Sequence, residues 1–295
     1  MNLWQKYLRP ESVEEALAGL TSAPGPACPV AGGTDLLLDI QQGRRPPLHT
    51  LVDLTAIPEM TIVEVRSDQL FIGGAVPLSR IVVSELIQEH AQALIEAAQL
   101  VGGPQVRNTA TLGGNVVHAL PAADGTIALI VLEAQAELAD LQGRRLVPVS
   151  DLFLGPGKSR VVSERELLVG FYLPLRKTHQ ASAFRRIMRA QGIALPILNV
   201  SVWLERKSKL VQDVRIAVGP GGPVPWRADS AEGSLRGHPY NHLAVEQARQ
   251  AVLNQVGFRT SAYRASAEYR AHLVGVLLSD ALEAAWKRAE KDESE

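Results

Sequence analysis

Two glycine-paired segments are where the residue types of this chain could do chemistry: Ala31-Gly32-Gly33-Thr34-Asp35 and Thr111-Leu112-Gly113-Gly114-Asn115. A Gly-Gly pair has no Cβ to hold a ligand off, so main-chain N–H donors can touch an anion directly. Each pair sits beside a threonine hydroxyl and a small polar side chain. One such segment is a common turn. Two of them predict a clamp closing on a diphosphate from both sides. In the first, an apolar run leads into the glycines and a helical pattern follows. N–H groups at that helix N-terminus would face the anion, with Thr34 donating its hydroxyl. Asp35 reads as the helix cap, because a carboxylate and a phosphate repel. In the second, Gln105-Val106-Arg107-Asn108 leads in and Pro121-Ala122-Ala123-Asp124 follows. Asp124 stands at a predicted helix start, open to two roles: capping, or accepting hydrogen bonds from ribose or ribityl hydroxyls. Arg107 receives no ligand role.

Other chemistries are poorly supported. Gly155-Pro156-Gly157-Lys158-Ser159 ends like a phosphate loop, but Leu152 stands where that motif needs glycine, and Pro156 removes a backbone donor. It reads as a surface turn. No GxGxxG follows a predicted strand, so a Rossmann site is not supported. The single cysteine, Cys28, rules out an internal disulfide and a four-thiolate cluster. The seven histidines are scattered, with no HExxH or CxxC spacing. Neither a catalytic triad nor a metal site is predicted. A redox role needs an organic cofactor, or a metal centre held by another chain.

Thirty basic and 31 acidic residues leave a net charge of -1, so no global field recruits nucleic acid or an anionic membrane. With 46% hydrophobic residues in 295, the chain can fill one large or two modest domains. The N-terminus lacks an apolar signal region, and no apolar stretch approaches the roughly 20 residues of a bilayer span. A soluble, cytoplasmic protein is expected.

The elements that must position the loops follow from periodicity. Ser12 with Glu15 forms a capping-box pattern opening a helix through Leu20. Ala27 to Val30 reads as a buried strand entering the first loop, and Asp35 to Gln42 as a helix stopped by Gly43. Thr50 to Leu54 is a further strand, giving a small α/β unit. Thr61 to Val65 and Gln69 to Gly73 read as a hairpin around Ser67-Asp68. Helical periodicity covers Ser79 to Leu100, and a buried helix covers Ala122 to Leu132. Gln135 to Leu141 pairs with Arg145 to Val149, and the strand Leu167 to Leu173 closes the region. Lys177 to Gln180 is the expected domain boundary. Beyond it, Ile197 to Glu205 and Leu210 to Val218 alternate as a long hairpin. Helical patterns follow near Asn241 to Asn254 and Tyr263 to Ala289. A three-strand sheet packed by helices would suit this last third.

The runs Ala31 to Leu37, Gly103 to Asn115 and Pro121 to Asp124 resemble the FAD-binding medium subunit of molybdenum hydroxylases, the xanthine dehydrogenase and carbon monoxide dehydrogenase family. The resemblance covers nearly the whole chain; Leu167-Leu168, Phe184-Arg185 and Thr260 to Ser266 fall in family order. It implies an α+β chain: a PCMH-type FAD-binding domain over 1–176, in subdomains of about 1–55 and 56–176, then a smaller α+β C-terminal domain over 181–290. It implies an oxidoreductase subunit that passes electrons from iron–sulfur clusters through FAD to an external acceptor. The molybdenum cofactor and [2Fe-2S] clusters would lie on a large and a small partner subunit, in a dimer of heterotrimers. Carried over by position, Pro29, Val30, Ala31, Gly32, Gly33, Thr34, Asp35 and Leu36, with Thr111, Gly113, Gly114 and Asn115, would hold the pyrophosphate through backbone amides and hydroxyls. Asp124 would take the sugar side, Val101 would pack on the cofactor and Leu168 would line the flavin ring. Arg185 stands where the family often has lysine, keeping the charge with a different geometry. Relatives often have an Asp-Ile-Ala run where this chain has Gly192-Ile193-Ala194, so Ile193 replaces an acid and alters the flavin's electrostatics. A stand-alone flavin oxidase of similar fold is the alternative, though its polar catalytic set is absent here.

Overall fold

The computed structural model describes residues 3–188 and 195–291. The chain opens with β1 (Trp4–Leu8), α1 (Val13–Thr21), β2 (Ala27–Val30), α2 (Leu36–Gln41) and β3 (Leu48–Asp53). The three strands form a parallel sheet in the order β1-β3-β2. Helix α1 covers it with Val13, Ala16, Leu17 and Leu20, one stripe at helical spacing. The Ser12 side chain accepts from Glu15 N at 3.1 Å, and Glu15 in turn accepts from Glu11 N at 3.0 Å, which fixes where α1 starts. Gly43, at φ +69, ends α2.

A second, antiparallel sheet follows. Strands β4 (Val63–Arg66) and β5 (Gln69–Gly73) form the expected hairpin, with Ser67 at φ 55 in its turn. Helices α3 (Leu78–Val82), α4 (Glu85–His90), α5 (Gln92–Gln99), α6 (Pro104–Arg107), α7 (Leu112–Val117) and α8 (Asp124–Val131) come next. Then come β6 (Gln135–Asp140), β7 (Gly143–Pro148), the short pair β8 (Phe153–Gly155) and β9 (Lys158–Ser159), and β10 (Leu167–Pro174). The sheet order is β4-β5-β10-β6-β7. The single helix expected over Ser79 to Leu100 is three. Ser84 leaves the helical conformation to cap α4 through Ile87 N, and Ala91, at φ -143, breaks the chain again before α5.

The last third holds β11 (Gln180–Met188), β12 (Pro196–Lys207), β13 (Leu210–Gly219) and β14 (Trp226–Arg227), then α9 (Asp229–Leu235), α10 (His242–Gln255) and α11 (Ala267–Lys291). The antiparallel sheet has three long strands and a two-residue fourth, in sequential order. Alternation was the expected pattern for β12, yet it is buried at almost every position. Both its faces are covered, by α11 on one side and by α5 and α8 of the preceding domain on the other. Phe184, Trp203 and Ala217 therefore belong to the core built on α5 and α8. No helix among the described residues is long and apolar enough to cross a membrane.

A carboxylate on α5 helps to fasten the two domains. Glu96, on α5, accepts from Phe184 N at 2.7 Å and from Arg185 Nη1 at 3.2 Å, and its other oxygen accepts from Arg288 Nη2. Arg288 also donates to Ser182 O at 2.6 Å. Glu96→Ala leaves two guanidinium groups and a buried amide without this acceptor. It is expected to cost about 2 kcal/mol of unfolding free energy in a urea titration, and a loss within error would show the tie to be dispensable.

Candidate functional site

The two glycine loops meet. A Cβ built on Gly32 would lie 2.2 Å from Thr109 O and 2.8 Å from Ala110 Cα, so glycine is required there by the second segment's backbone. Gly113 is required by the same kind of contact, 2.5 Å from Gly74 O. Gly33 instead supplies a positive φ of +64 that turns the chain into α2. Gly114 is exposed, and a Cβ there would meet only Thr111 Oγ1, at 3.1 Å. Gly74 extends the contact: its N–H donates to Val169 O at 2.7 Å, and a Cβ built on it would lie 2.5 Å from Leu168 O. Leu168, buried in β10, is thus held behind the second loop. Val101 is half-buried at the approach to that loop, and its carbonyl accepts from Arg107 Nη1 at 3.2 Å.

The loops differ in what they offer. Among the described residues, the main-chain N–H groups from Ala31 to Leu36 find no protein acceptor, and Thr34 and Asp35 are exposed. In the second loop Leu112 N donates to Val76 O, Gly113 N to Gly74 O, Gly114 N to Thr111 Oγ1 and Asn115 N to Thr111 O. Those amides are committed to the fold, against the expectation that both loops present them to a ligand. The physical reason is twofold: the carbonyls of Gly74 and Val76 take the first two donors of α7, and Thr111, its cap, takes the next two. Asn115 keeps one free group, a buried Oδ1 with no donor among the described residues, beside Gly125 at the start of α8. Asp35 occupies the cap position of α2 but makes no capping hydrogen bond; its carboxylate faces His118 Nε2 at 4.0 Å, across the two loops.

Asp124 and Arg185 carry structural work that their sequence positions do not announce. Asp124 is buried at the start of α8, where Asn199 Nδ2 donates to it at 2.7 Å and Arg186 Nη1 donates to its other oxygen. Asn199 also donates to Ala122 O at 3.1 Å. The carboxylate is therefore occupied by two residues of the C-terminal domain. Burial pushes its pKa from the ordinary 3.8 up to about 6, with Arg186 and Asn199 acting in the opposite direction. Successive residues of a strand face opposite ways, so while Arg186 reaches Asp124, Arg185 turns to Glu96. Gly192, Ile193 and Ala194 lie outside the described residues. Sequence reasoning missed Gly74, Arg186 and Asn199, whose partners are long-range and carry no local motif.

The arrangement suits an anion with several acceptor oxygens: a run of free main-chain donors, an exposed hydroxyl and a neighbouring loop held in contact without a Cβ between them. Among the described residues no group of His, Cys, Asp or Glu is placed to hold a metal ion.

The chain is similar to known proteins along nearly its whole length. Residues 3–176 match the FAD binding domain in molybdopterin dehydrogenase, and residues 182–285 match the CO dehydrogenase flavoprotein C-terminal domain. The xanthine dehydrogenase FAD-binding subunit of Escherichia coli O157:H7 is 30% identical over 285 residues, 95% of this chain and 96% of that protein. The carbon monoxide dehydrogenase medium chain of Hydrogenophaga pseudoflava is 29% identical over 283 residues, 96% of this chain and 97% of that one. A solved structure of carbon monoxide dehydrogenase from the same organism superposes with a TM-score of 0.90, covering 96% of this chain and 98% of its own at 29% identity.

The Asp124 pKa gives the site a pH signature. A carboxyl whose pKa rises on folding contributes stability that is fully present below about pH 4 and lost as pH climbs through about 6. By this linkage roughly 3 kcal/mol disappears across that window, and Asp124→Asn removes the fall. Urea midpoints taken at several pH values measure it; a wild-type and variant pair with parallel profiles would refute the assignment.

Proposed function

The chain belongs to the family of FAD-binding domains in molybdopterin dehydrogenases, and from that premise we propose that it is the FAD-carrying subunit of a molybdenum-containing hydroxylase. Its role is to pass electrons from iron–sulfur clusters of a partner chain to an external acceptor. The observation that carries this reading is the run of unsatisfied main-chain donors from Ala31 to Leu36, presented on an exposed loop braced by Thr109 and Ala110. A pyrophosphate supplies the acceptors such a run lacks. Gly33 sets the turn that aims the donors, and Thr34 adds a hydroxyl. Pro29 and Val30 anchor the loop to the sheet, and Asp35 and Leu36 begin α2 behind it.

Thr111, Gly113, Gly114 and Asn115 form the facing wall, with the exposed edge of Gly114 leaving room for the ligand. Asn115, whose Oδ1 is buried beside Gly125, braces that wall from behind. Asp124 acts behind it, holding Arg186 and so the position of the C-terminal domain. Val101 and Leu168 supply apolar walls, and Arg185 contributes through Glu96 instead of direct contact. When bound, the flavin accepts electrons one at a time and releases them in pairs, which suits a junction between clusters and a two-electron acceptor.

The chain's own contribution is binding, orientation and burial. Its one cysteine, Cys28, is buried, so the clusters sit on another chain. The assembly we propose is a cytoplasmic dimer of heterotrimers, with a large molybdenum-cofactor subunit and a small iron–sulfur subunit. Light scattering on the purified complex checks that stoichiometry.

The cofactor reading has a direct test. The purified protein is expected to be yellow and to release about one FAD per chain on denaturation, as one site requires. Gly33→Val is expected to be colourless, since the branched side chain opposes φ +64 and crowds Val30 and Leu37. Gly43→Val places equal backbone strain at φ +69, with nothing near its Cβ, and is expected to keep its flavin. A colourless wild type that takes up no added FAD, or a Gly33→Val protein of unchanged affinity, would overturn the proposal.

A further inference from the structure

The second glycine segment spends its amides on the fold, so what it can still offer a ligand is charge. From Ala97 to Ala123 the chain holds no Asp or Glu, and its ionisable side chains there are Arg107 and His118. Arg107 is drawn back onto its own loop, where its Nη1 donates to Gly102 O at 2.8 Å. His118, at the C-terminal cap of α7, reaches the other loop: its Nε2 stands 4.0 Å from Asp35 Oδ1. Asp35 belongs to the run of free donors from Ala31 to Leu36, so the imidazole stands across the two loops from those amides.

This pair does little for the fold. The side chains are 35% and 63% exposed, and 4.0 Å is too long for a hydrogen bond. An ion pair so open to water contributes little to folding, which leaves both groups able to answer a ligand. The other charged groups on the elements around His118 do not compete for it. Asp39 of α2 is paired with Arg44 at 2.9 Å. Asp124 of α8 is buried and held by Arg186 and Asn199. Strand β10 carries no charged residue. The turn ahead of β9 is pinned to the end of α7 by Gly157 N, which donates to Ala119 O at 2.9 Å. It carries Lys158, a further cation, which has no carboxylate within ion-pair distance among the described residues.

We propose that His118 is the counter-charge of the cofactor's diphosphate, taking up a proton as FAD binds and exchanging Asp35 for a phosphate oxygen. The proposal rests on the FAD reading above and deepens it. A diphosphate brings two negative charges beside an imidazole that already faces one carboxylate, and this favours the imidazolium. Binding that takes up a proton is tightest at low pH. Affinity for FAD therefore falls as pH climbs through the range in which histidines titrate.

The test is calorimetric titration of the flavin-stripped full chain with FAD, at pH 6 and 8.5 for affinity. At pH 7 it is run in two buffers of different ionisation heat, which counts protons. Wild type is expected to take up a fraction of a proton per FAD and to lose roughly fivefold to tenfold in affinity between the two pH values. His118→Gln keeps hydrogen-bonding reach without titrating, and is expected to lose both the uptake and the pH dependence. His118→Lys keeps its charge at both pH values and is expected to bind tightly at both, again without uptake. Asp124→Asn is expected to retain the uptake, which separates His118 from the carboxyl buried near it. Uptake that persists in His118→Gln, or wild-type binding without uptake, overturns the proposal and leaves the FAD site standing. A wild type that binds no FAD overturns the site and the proposal together. His118→Gln is expected to unfold at the wild-type urea midpoint at pH 8.5, and a variant that fails to fold would refute the assignment by making His118 a structural residue.

Discussion

The first glycine loop touches the backbone of the second segment so closely that a methyl group at position 32 would lie 2.2 Å from the Thr109 carbonyl oxygen. Everything at the site follows from that contact. It fixes where the loop stands, so the donors it carries need not be held by hydrogen bonds of their own. Main-chain amides are normally satisfied within the fold, and a run of free ones is tolerated only where water or a ligand reaches them. Gly33 then turns the run outward, and Thr34 and Asp35 lie in solvent.

The second segment does the opposite work. Its amides are spent on Val76, Gly74 and Thr111, which makes it a rigid wall. Gly74 links that wall to β10, so one contiguous body runs from the sheet through Leu168 to the loop. Beneath it, Asp124 receives Arg186 and Asn199 from the C-terminal domain, and Glu96 receives Phe184, Arg185 and Arg288. Two carboxylates on neighbouring helices thus set how the second domain covers the first. The site's geometry depends on both domains, although its free donors come from one.

Local signals in the sequence were faithful where local physics decides. Ala27 to Val30 is a strand as read, Ser12 and Glu15 cap α1, and Gly43 stops α2. The Gly-Gly loops were visible because glycine is required at both. Which glycine served which purpose was not: Gly32 and Gly113 answer to backbones far away in the chain, and only Gly33 answers to its own φ. Asp124 illustrates the limit. Its position at a helix start suggests a cap or a ligand, yet its partners lie 62 and 75 residues away. Strand β1, with its three exposed central residues, and strand β11, whose polar residues serve inter-domain bonds, lack the apolar alternation that periodicity needs. The breaks at Ser84 and Ala91 were hidden inside one continuous apolar stripe.

Amide hydrogen exchange, followed by mass spectrometry with and without FAD, tests the division of labour between the loops most directly. The account predicts fast exchange from Ala31 to Leu36 in the FAD-free chain and strong protection there once FAD binds, with 112–115 protected in both states. Protection gained on binding at 112–115, with 31–36 exchanging freely throughout, would contradict it.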